Sequence, residues 1–304
     1  MVSADEAFEP TPQAAWQRLQ AVRPAAYAQT RNHLQGAVTR LSPYLTHGLL
    51  TLAQVVQHLQ ATHGLPARHR LMAELGWRAW FRHRWQHEGD AILRSLHAGP
   101  LPDAAYATAV PADVREARTG LAVIDRSVQA LHAQGWLHNH ARLWLASYLV
   151  HGRRVHWRAG ADWMLAHLLD GDLASNHLSW QWVAGTGSHR PYLFNADNVA
   201  RFAPEPWWVG GTVLDRPYEA LEAIACGDTP LPAGPAQTTG EPEPAVHVAP
   251  PAAGFTPARA ADVAGRDVWL VHPWSLADPP PGRLPVALCD AGFHRRWPWS
   301  ERRW

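Results

Sequence analysis

Between residues 12 and 203 apolar side chains recur at helical spacing, and one run after another is closed by a glycine. "TLAQVVQHLQATHG" ends at Gly64, "RLMAELGWRAWFRHRWQHEGD" near Gly89, "AVIDRSVQALHAQG" at Gly135 and "WLHNHARLWLASYLVHG" at Gly152. Glycine stops a helix because it enters the left-handed conformation at no steric cost. Continuous alternation of apolar and polar residues, the mark of a half-buried strand, is absent here. The spacing therefore predicts a mainly α fold, with a helical domain over residues 1–203. After Pro204 the composition shifts, and residues 204–260 read as an extension followed by a Pro/Ala-rich linker or strap. Residues 261–304 read as a strand-containing segment of unassigned role: "DVWLVHPWSL" and "LPVALCDAGF" suggest two short buried strands, and "PWSERRW" the opening of a helix. Two strands make no stable sheet alone, so they are expected to pack on the helices or pair with another chain.

Composition narrows the function. A 304-residue chain with 47% hydrophobic residues can bury one large core or two smaller ones. Its two cysteines, Cys226 and Cys289, are too few for a disulfide scaffold or a four-cysteine Fe–S cluster. Neither a membrane-length apolar run nor a secretory signal occurs, so a cytoplasmic location without membrane association is expected. A net charge of +1 sets up no global field for nucleic acid, and any such binding must use local patches. Residues 68–94 carry six arginines against three acids, and residues 138–161 carry Arg142, Arg153, Arg154 and Arg158 with no acid. Seventeen tryptophans exceed what a core needs, because each indole N–H wants a partner, so stacking surfaces or a route for electrons are the functional readings.

Three constellations carry chemistry. In "DGDLASNHLSWQW" (170–182), Asp172, Asn176 and Trp180 fall on one helix face at successive turns, a polar-to-aromatic stripe where core packing would prefer Leu and Ala. "ELGWRAWFRH" places Glu74, Trp77 and Arg78 on one face, able to hydrogen-bond, stack and pair with phosphate; a salt-bridged surface helix is the plainer reading. "GWLHNHARLW" aligns Trp136, Asn139 and Arg142 within a mostly apolar helix, and a polar ligand is a natural partner for that face. "VTRLSPYLTHG" adds Thr39, Arg40 and Ser42 before a proline, which suits a phosphate or simply a helix cap.

In order, "YAQTR", "TRLSPYLTHGLLTLAQV", "ELGWRAWFRH", "TGLAVIDRSVQAL", "GWLHNHARLWLASYL" and "LLDGDLASNHLSWQW" resemble the FAD-binding helical domain of the DNA photolyase and cryptochrome family, over about residues 27–182. The resemblance implies a helical domain holding FAD in a bent form, active as FADH⁻. It places Tyr27, Thr39, Arg40, Leu41, Ser42 and Arg78 along the phosphates, and Asn139 and Arg142 against the isoalloxazine. Asp170 and Asp172 would bond the flavin and ribose side, with Asn176 beside flavin N5. Trp180 and Trp157 match the first two rings of an electron-transfer chain, and Trp182 and Trp77 the walls of a lesion cavity. Glu74 and Asn139 match the residues that hydrogen-bond a cyclobutane pyrimidine dimer. The implied activity is a deoxyribodipyrimidine photo-lyase, in which excited FADH⁻ donates an electron to the dimer, the ring splits and the electron returns.

Departures from the family pattern sharpen the expectations. About 26 residues precede Tyr27, so the chain looks like a short member lacking the N-terminal α/β antenna domain, and no antenna pigment is expected. His140 and Leu143 stand where an arginine and a methionine commonly face DNA and lesion, which motivates a preference for single-stranded DNA. No tryptophan between residues 98 and 135 matches the third ring of the chain, leaving Tyr106 or a different branch. The alternative is a cryptochrome-like photoreceptor that signals through residues 204–304; a flavin-binding subunit whose C-terminal segment meets a protein partner is a third reading. Metal-ligand spacing is absent among the nineteen histidines, and no metal site is expected.

Overall fold

The structure, a computed structural model, describes residues 8–304 except 228, 233, 235–238 and 252–255. The helices in order are α1 (Pro12–Gln20), α2 (Pro24–Thr30), α3 (Ser42–Thr46), α4 (Leu52–His63), α5 (Arg70–Glu88), α6 (Ala112–Arg115) and α7 (Ala122–Gln134). They continue with α8 (Asn139–Ser147), α9 (Trp157–His167), α10 (Leu173–Ala184), α11 (Ala196–Phe202), α12 (Tyr218–Cys226), α13 (Ala260–Val263) and α14 (Ala291–Arg296). The predicted stops are where helices end: α4 closes on Gly64 at φ 60° and α7 on Gly135 at φ 64°, each donating its N–H to the carbonyl four residues back. At its other end α4 opens on a capping box, with Thr51 and Gln54 satisfying each other's backbone N–H.

Two local predictions change. Helix α8 starts at Asn139, capped by the His138 ring, so Trp136 sits in the preceding turn and not on the helix face with Asn139 and Arg142. The run does end at Gly152, but its last turn, over Tyr148–Gly152, is π-helical and not α-helical. 

The core has three centres. The largest gathers α7, α8, α9 and the end of α10 around Leu131, Trp144, Leu149, Trp157 and Trp180; a second joins α1, α3, α4 and α5 through Leu19, Tyr44, Leu59 and Leu71. The third packs Ile92, Leu165 and Leu178 against Trp297, so the chain's last residues enter the helical body.

The C-terminal elements differ from expectation. Strands β2 (Val268–Val271) and β3 (Leu284–Ala287) do form, pairing in parallel from Val268 opposite Leu284 to Val271 opposite Ala287. They are not buried: alternate residues stay exposed, Leu270 at 56%, because nothing described covers the outer face of a two-stranded sheet. "PWSERRW" opens no helix; its Trp299–Ser300 forms β4, antiparallel to β1 (Val246–His247) in the Pro/Ala-rich strap. Trp299, 1% exposed, gains a packing site against the helices that a solvated helix would not have offered it.

Candidate functional site

One cavity of about 270 Å³ opens between α2, the 38–42 turn, α5, α8, α9 and α10. Thirteen of the sequence-predicted residues line it: Tyr27, Thr39, Arg40, Ser42, Glu74, Arg78, Asn139, Arg142, Leu143, Asp170, Asp172, Asn176 and Trp180. Leu41, Trp77, His140, Trp157 and Trp182 do not. Trp136, set beside Asn139 and Arg142 by spacing, is on the wall too, and Arg31, Ser175 and Ser179 join it unpredicted. Arg31 was detectable: it lies one turn after Tyr27 in "YAQTR", and its guanidinium meets Glu74 at 2.9 Å.

The turn between α9 and α10 is built on charge pairing. Arg142 reaches across from α8 and donates to both Asp170 oxygens, at 2.8 and 3.0 Å. Burial acts to raise the Asp170 carboxyl, but the Arg142 charge and hydrogen bonds outweigh it and hold the group below the usual carboxylate range. Asp172 serves two purposes: its side chain caps α10 by accepting from the Ser175 N–H at 2.8 Å, and its other oxygen lies 3.8 Å from Arg78. Arg78 also donates to the Thr46 hydroxyl, which donates to the Asp170 carbonyl, tying α5, α3 and the turn together.

Opposite, Arg40 holds a left-handed backbone at φ 51°, uncommon for a residue with a side chain and a recurrent feature of functional turns. Its guanidinium lies 4.2 Å from the Trp136 ring centroid, a cation–π contact. Thr39 is partly engaged with its own turn, accepting from the Leu41 N–H at 3.4 Å. Leu41 is itself a core residue, 2% exposed. The Tyr27 hydroxyl is pushed up first by burial and then by Glu74.

On the inner wall, Asn176 donates through Nδ2 to the Ala161 carbonyl at 2.8 Å, which leaves Oδ1 as an acceptor. Trp180 is 3% exposed and lies against α9 where Gly160 carries no side chain; a Cβ there would overlap the indole ring. Trp157, one turn earlier on α9, is buried with its indole N–H donating to Ser95 at 3.0 Å. Beyond it the His156 ring lies 5.7 Å away, and the Tyr106 ring 6.2 Å further on.

The predicted DNA-facing residues divide. Trp77 on α5 is 55% exposed and Trp182 on α10 is 46% exposed, as stacking walls require. His140 instead packs its ring between Trp144 and Phe202 at 4.9 and 4.6 Å, where burial lowers its pKa to about 4, so it offers no cation to a phosphate. The acid-free run 138–161 is also not a positive rim. Arg153 pairs with Asp113 and Arg158 with Asp162, while Arg154 is buried on the carbonyls of Ile224, Ala225 and Gly227. The count missed Asp113, 40 positions away, and stopped one residue short of Asp162, which pairs with Arg158 across one turn of α9. The other patch holds up better: Arg68, Arg70, Arg82 and Arg94 are exposed and carry no ion pair among the described residues.

Guanidiniums for a diphosphate, paired aspartates, an amide acceptor and a buried indole make a donor set that fits a dinucleotide with a flavin ring, on walls built from helices and the turns between them. Fold and lining thus define a helical flavin-binding class. Residues 71–205 match the FAD binding domain of DNA photolyase, and over this helical region the chain is similar to members of the DNA photolyase and cryptochrome family. It is 32% identical over 212 residues to the deoxyribodipyrimidine photo-lyase of Streptomyces griseus, covering 64% of this chain and 46% of that one. The Escherichia coli K12 deoxyribodipyrimidine photo-lyase is 30% identical over 217 residues, with the same coverage. Among solved structures, the Synechocystis sp. PCC6803 cryptochrome superposes with a TM-score of 0.57 at 27% identity, covering 64% of this chain and 44% of that one. A bacterial class III photolyase from Agrobacterium tumefaciens gives 0.55 at 25% identity, covering 64% and 42%. The chain spans a little under half the length of these relatives. No helix among the described residues is long and apolar enough to cross a membrane.

Proposed function

We propose that this chain is a light-dependent deoxyribodipyrimidine photo-lyase that splits cyclobutane pyrimidine dimers in DNA. The supporting observation is the cavity itself, where Glu74 and Asn139 share one wall system with Arg142, Asp170, Asp172, Asn176 and Trp180. Reduced FAD held here would supply, when light-excited, an electron that the dimer gives back once its ring has split. The chain's residues hold and exclude. Arg40 and Arg78 would take the phosphates, while Arg142 and Asp170 hold each other rigid at the flavin side, and Asn176 offers Oδ1 to an N–H donor without adding charge.

Glu74, held by Arg31 on one side, would accept from the pyrimidine N–H groups of an extruded dimer. Trp77 and Trp182 are the exposed rings on which such a dimer would stack, and stacking each base on an indole is worth about 1–3 kcal/mol. Flipping a damaged step costs less than flipping an intact one, which favours lesions. Backbone contacts fall to the exposed arginines of α5 and its flanks, because residues 138–161 spend theirs internally. That thin rim, with neutral His140, supports a preference for single-stranded DNA. For photoreduction, Trp180 and Trp157 form the inner stations and Tyr106, through His156, the outer one.

The deciding experiment is repair of a thymine dimer in a short oligonucleotide by purified, photoreduced protein under blue light, with a dark control and a duplex arm. Light-dependent recovery of thymine, faster on the single strand, is expected. Flavin photoreduction with a persistent dimer would reject repair in favour of photoreception, and equal rates on the two substrates would reject the strand preference.

A further inference from the structure

Away from the cavity, the C-terminal end of α7, the C-terminal end of α9 and the strap meet at three side chains. His132, His167 and Glu243 each direct a donor atom to a common point, all within 4.8 Å of one another. His167 Nε2 lies 3.2 Å from Glu243 Oε1, and the two imidazole rings are 4.8 Å apart. Both ring nitrogens of His132 are shielded from water without a hydrogen-bond partner among the described residues, as is Nδ1 of His167. A shielded imidazole with neither nitrogen partnered, facing a second imidazole, is a costly arrangement unless something bridges the two.

We infer that His132, His167 and Glu243 form a binding site for a divalent transition-metal ion of the zinc type. Two imidazoles and one carboxylate are a donor set that zinc accepts, with a water completing a tetrahedron. Bonds of about 2.0–2.1 Å hold such donors about 3.3 Å apart, so His167 and Glu243 are already at that separation and closure falls to His132. The carboxylate has the supporting contacts a ligand needs: the Trp163 indole donates to Oε1 at 2.7 Å and Arg115 to Oε2 at 2.5 Å. His132 lies in the last turn of α7 and His167 ends α9, so both helices turn the negative ends of their dipoles toward the ion. The absence of metal-ligand spacing in the sequence is explained by distance, since Glu243 is 76 positions from His167 and comes from the Pro/Ala-rich strap. Metal binding here fastens that strap onto the helical body.

The test is Zn²⁺ binding by the full chain after chelator treatment, read by bound stoichiometry and by thermal midpoint, with Co²⁺ as a spectroscopic probe. Wild type is expected to retain a single equivalent through gel filtration, to rise in thermal midpoint, and to show the visible d–d bands of tetrahedral cobalt. His132→Ala should lose the equivalent, the shift and the bands, whereas His63→Ala, at an exposed histidine, should keep all three. Glu243→Gln, which preserves shape, gives the same reading should His132→Ala fail to fold. Absence of retained zinc in wild type, or retention unchanged in both His132→Ala and Glu243→Gln, overturns the site. None of these readings depends on flavin loading or on repair.

Discussion

Gly160 illustrates how much one side chain controls at this site. Trp180 occupies the space a Cβ would take, so Gly160→Ala must displace the indole or the helix carrying it. Overpacking of this kind costs about 1–3 kcal/mol, and a lower urea midpoint together with weakened flavin retention is the expected outcome. Asp170 depends on its partner in the opposite sense. With Arg142→Met its carboxylate is left buried without its counter-charge, a loss of about 3–5 kcal/mol that a denaturation titration at pH 7 should register. Its sign with pH follows from the depressed pKa. The stabilisation is complete above the unfolded carboxylate value and disappears as pH falls through the lower folded one, so wild type and Arg142→Met should converge in strong acid. The pairing of Asp170 with Arg142 could not be read from "DGD" and "HNHAR" alone, since the two are 28 positions apart.

Among the elements, the last strand and its tail act on the site from behind. Arg303 is 6% exposed; its guanidinium donates to the carbonyls of Leu165 and Gly171 and lies over Trp299 at 3.9 Å. Burial pushes it down to about 9 against the pull of Asp170 and Asp172, so it stays cationic at neutral pH beneath the turn that bears both aspartates. On the same side the His47 ring nitrogens lie against the carbonyls of Pro273 and Leu169, and burial lowers its pKa while those two contacts act to raise it. Arg303→Met should therefore lower stability by about 3 kcal/mol, the scale of charged hydrogen bonds to buried acceptors, and loosen FAD although it touches no part of the cavity. Flavin fluorescence after gel filtration measures the second effect. The tail thus braces the cavity from the side that a sequence reading left as an unassigned segment.

At the scale of the whole molecule, buried neutral histidines set the acid limit of the fold. His138, His140 and His151 are each lowered to about 4 from the ordinary 6.5, first by burial. Neighbouring guanidiniums oppose protonation too: Arg142 and Arg40 for His138, Arg31 for His140, and Arg154 for His151. Between these values the unfolded chain takes up protons that the folded chain refuses, so stability should fall as pH drops from about 6.5 toward 4. Urea midpoints at pH 7.5 and 5 should differ by more in wild type than in His140→Phe, which removes one such group from an aromatic pocket. Much of this protein was legible in the chain alone: the helices and their glycine stops, because helix periodicity and capping are local, and most of the cavity lining, through the resemblance of its segments to the photolyase and cryptochrome family, since spacing by itself grouped only the faces of Glu74 with Arg78, Asn139 with Arg142 and Asp172 with Asn176 and Trp180. Tertiary structure decided which charges are free. Arg153 and Arg154 are consumed by distant groups, Glu74 gains Arg31, and Glu243 joins two histidines, since pairing between distant segments depends on distance in space and carries no signature in sequence separation; only Arg158 with Asp162, four residues apart on α9, was readable in the chain.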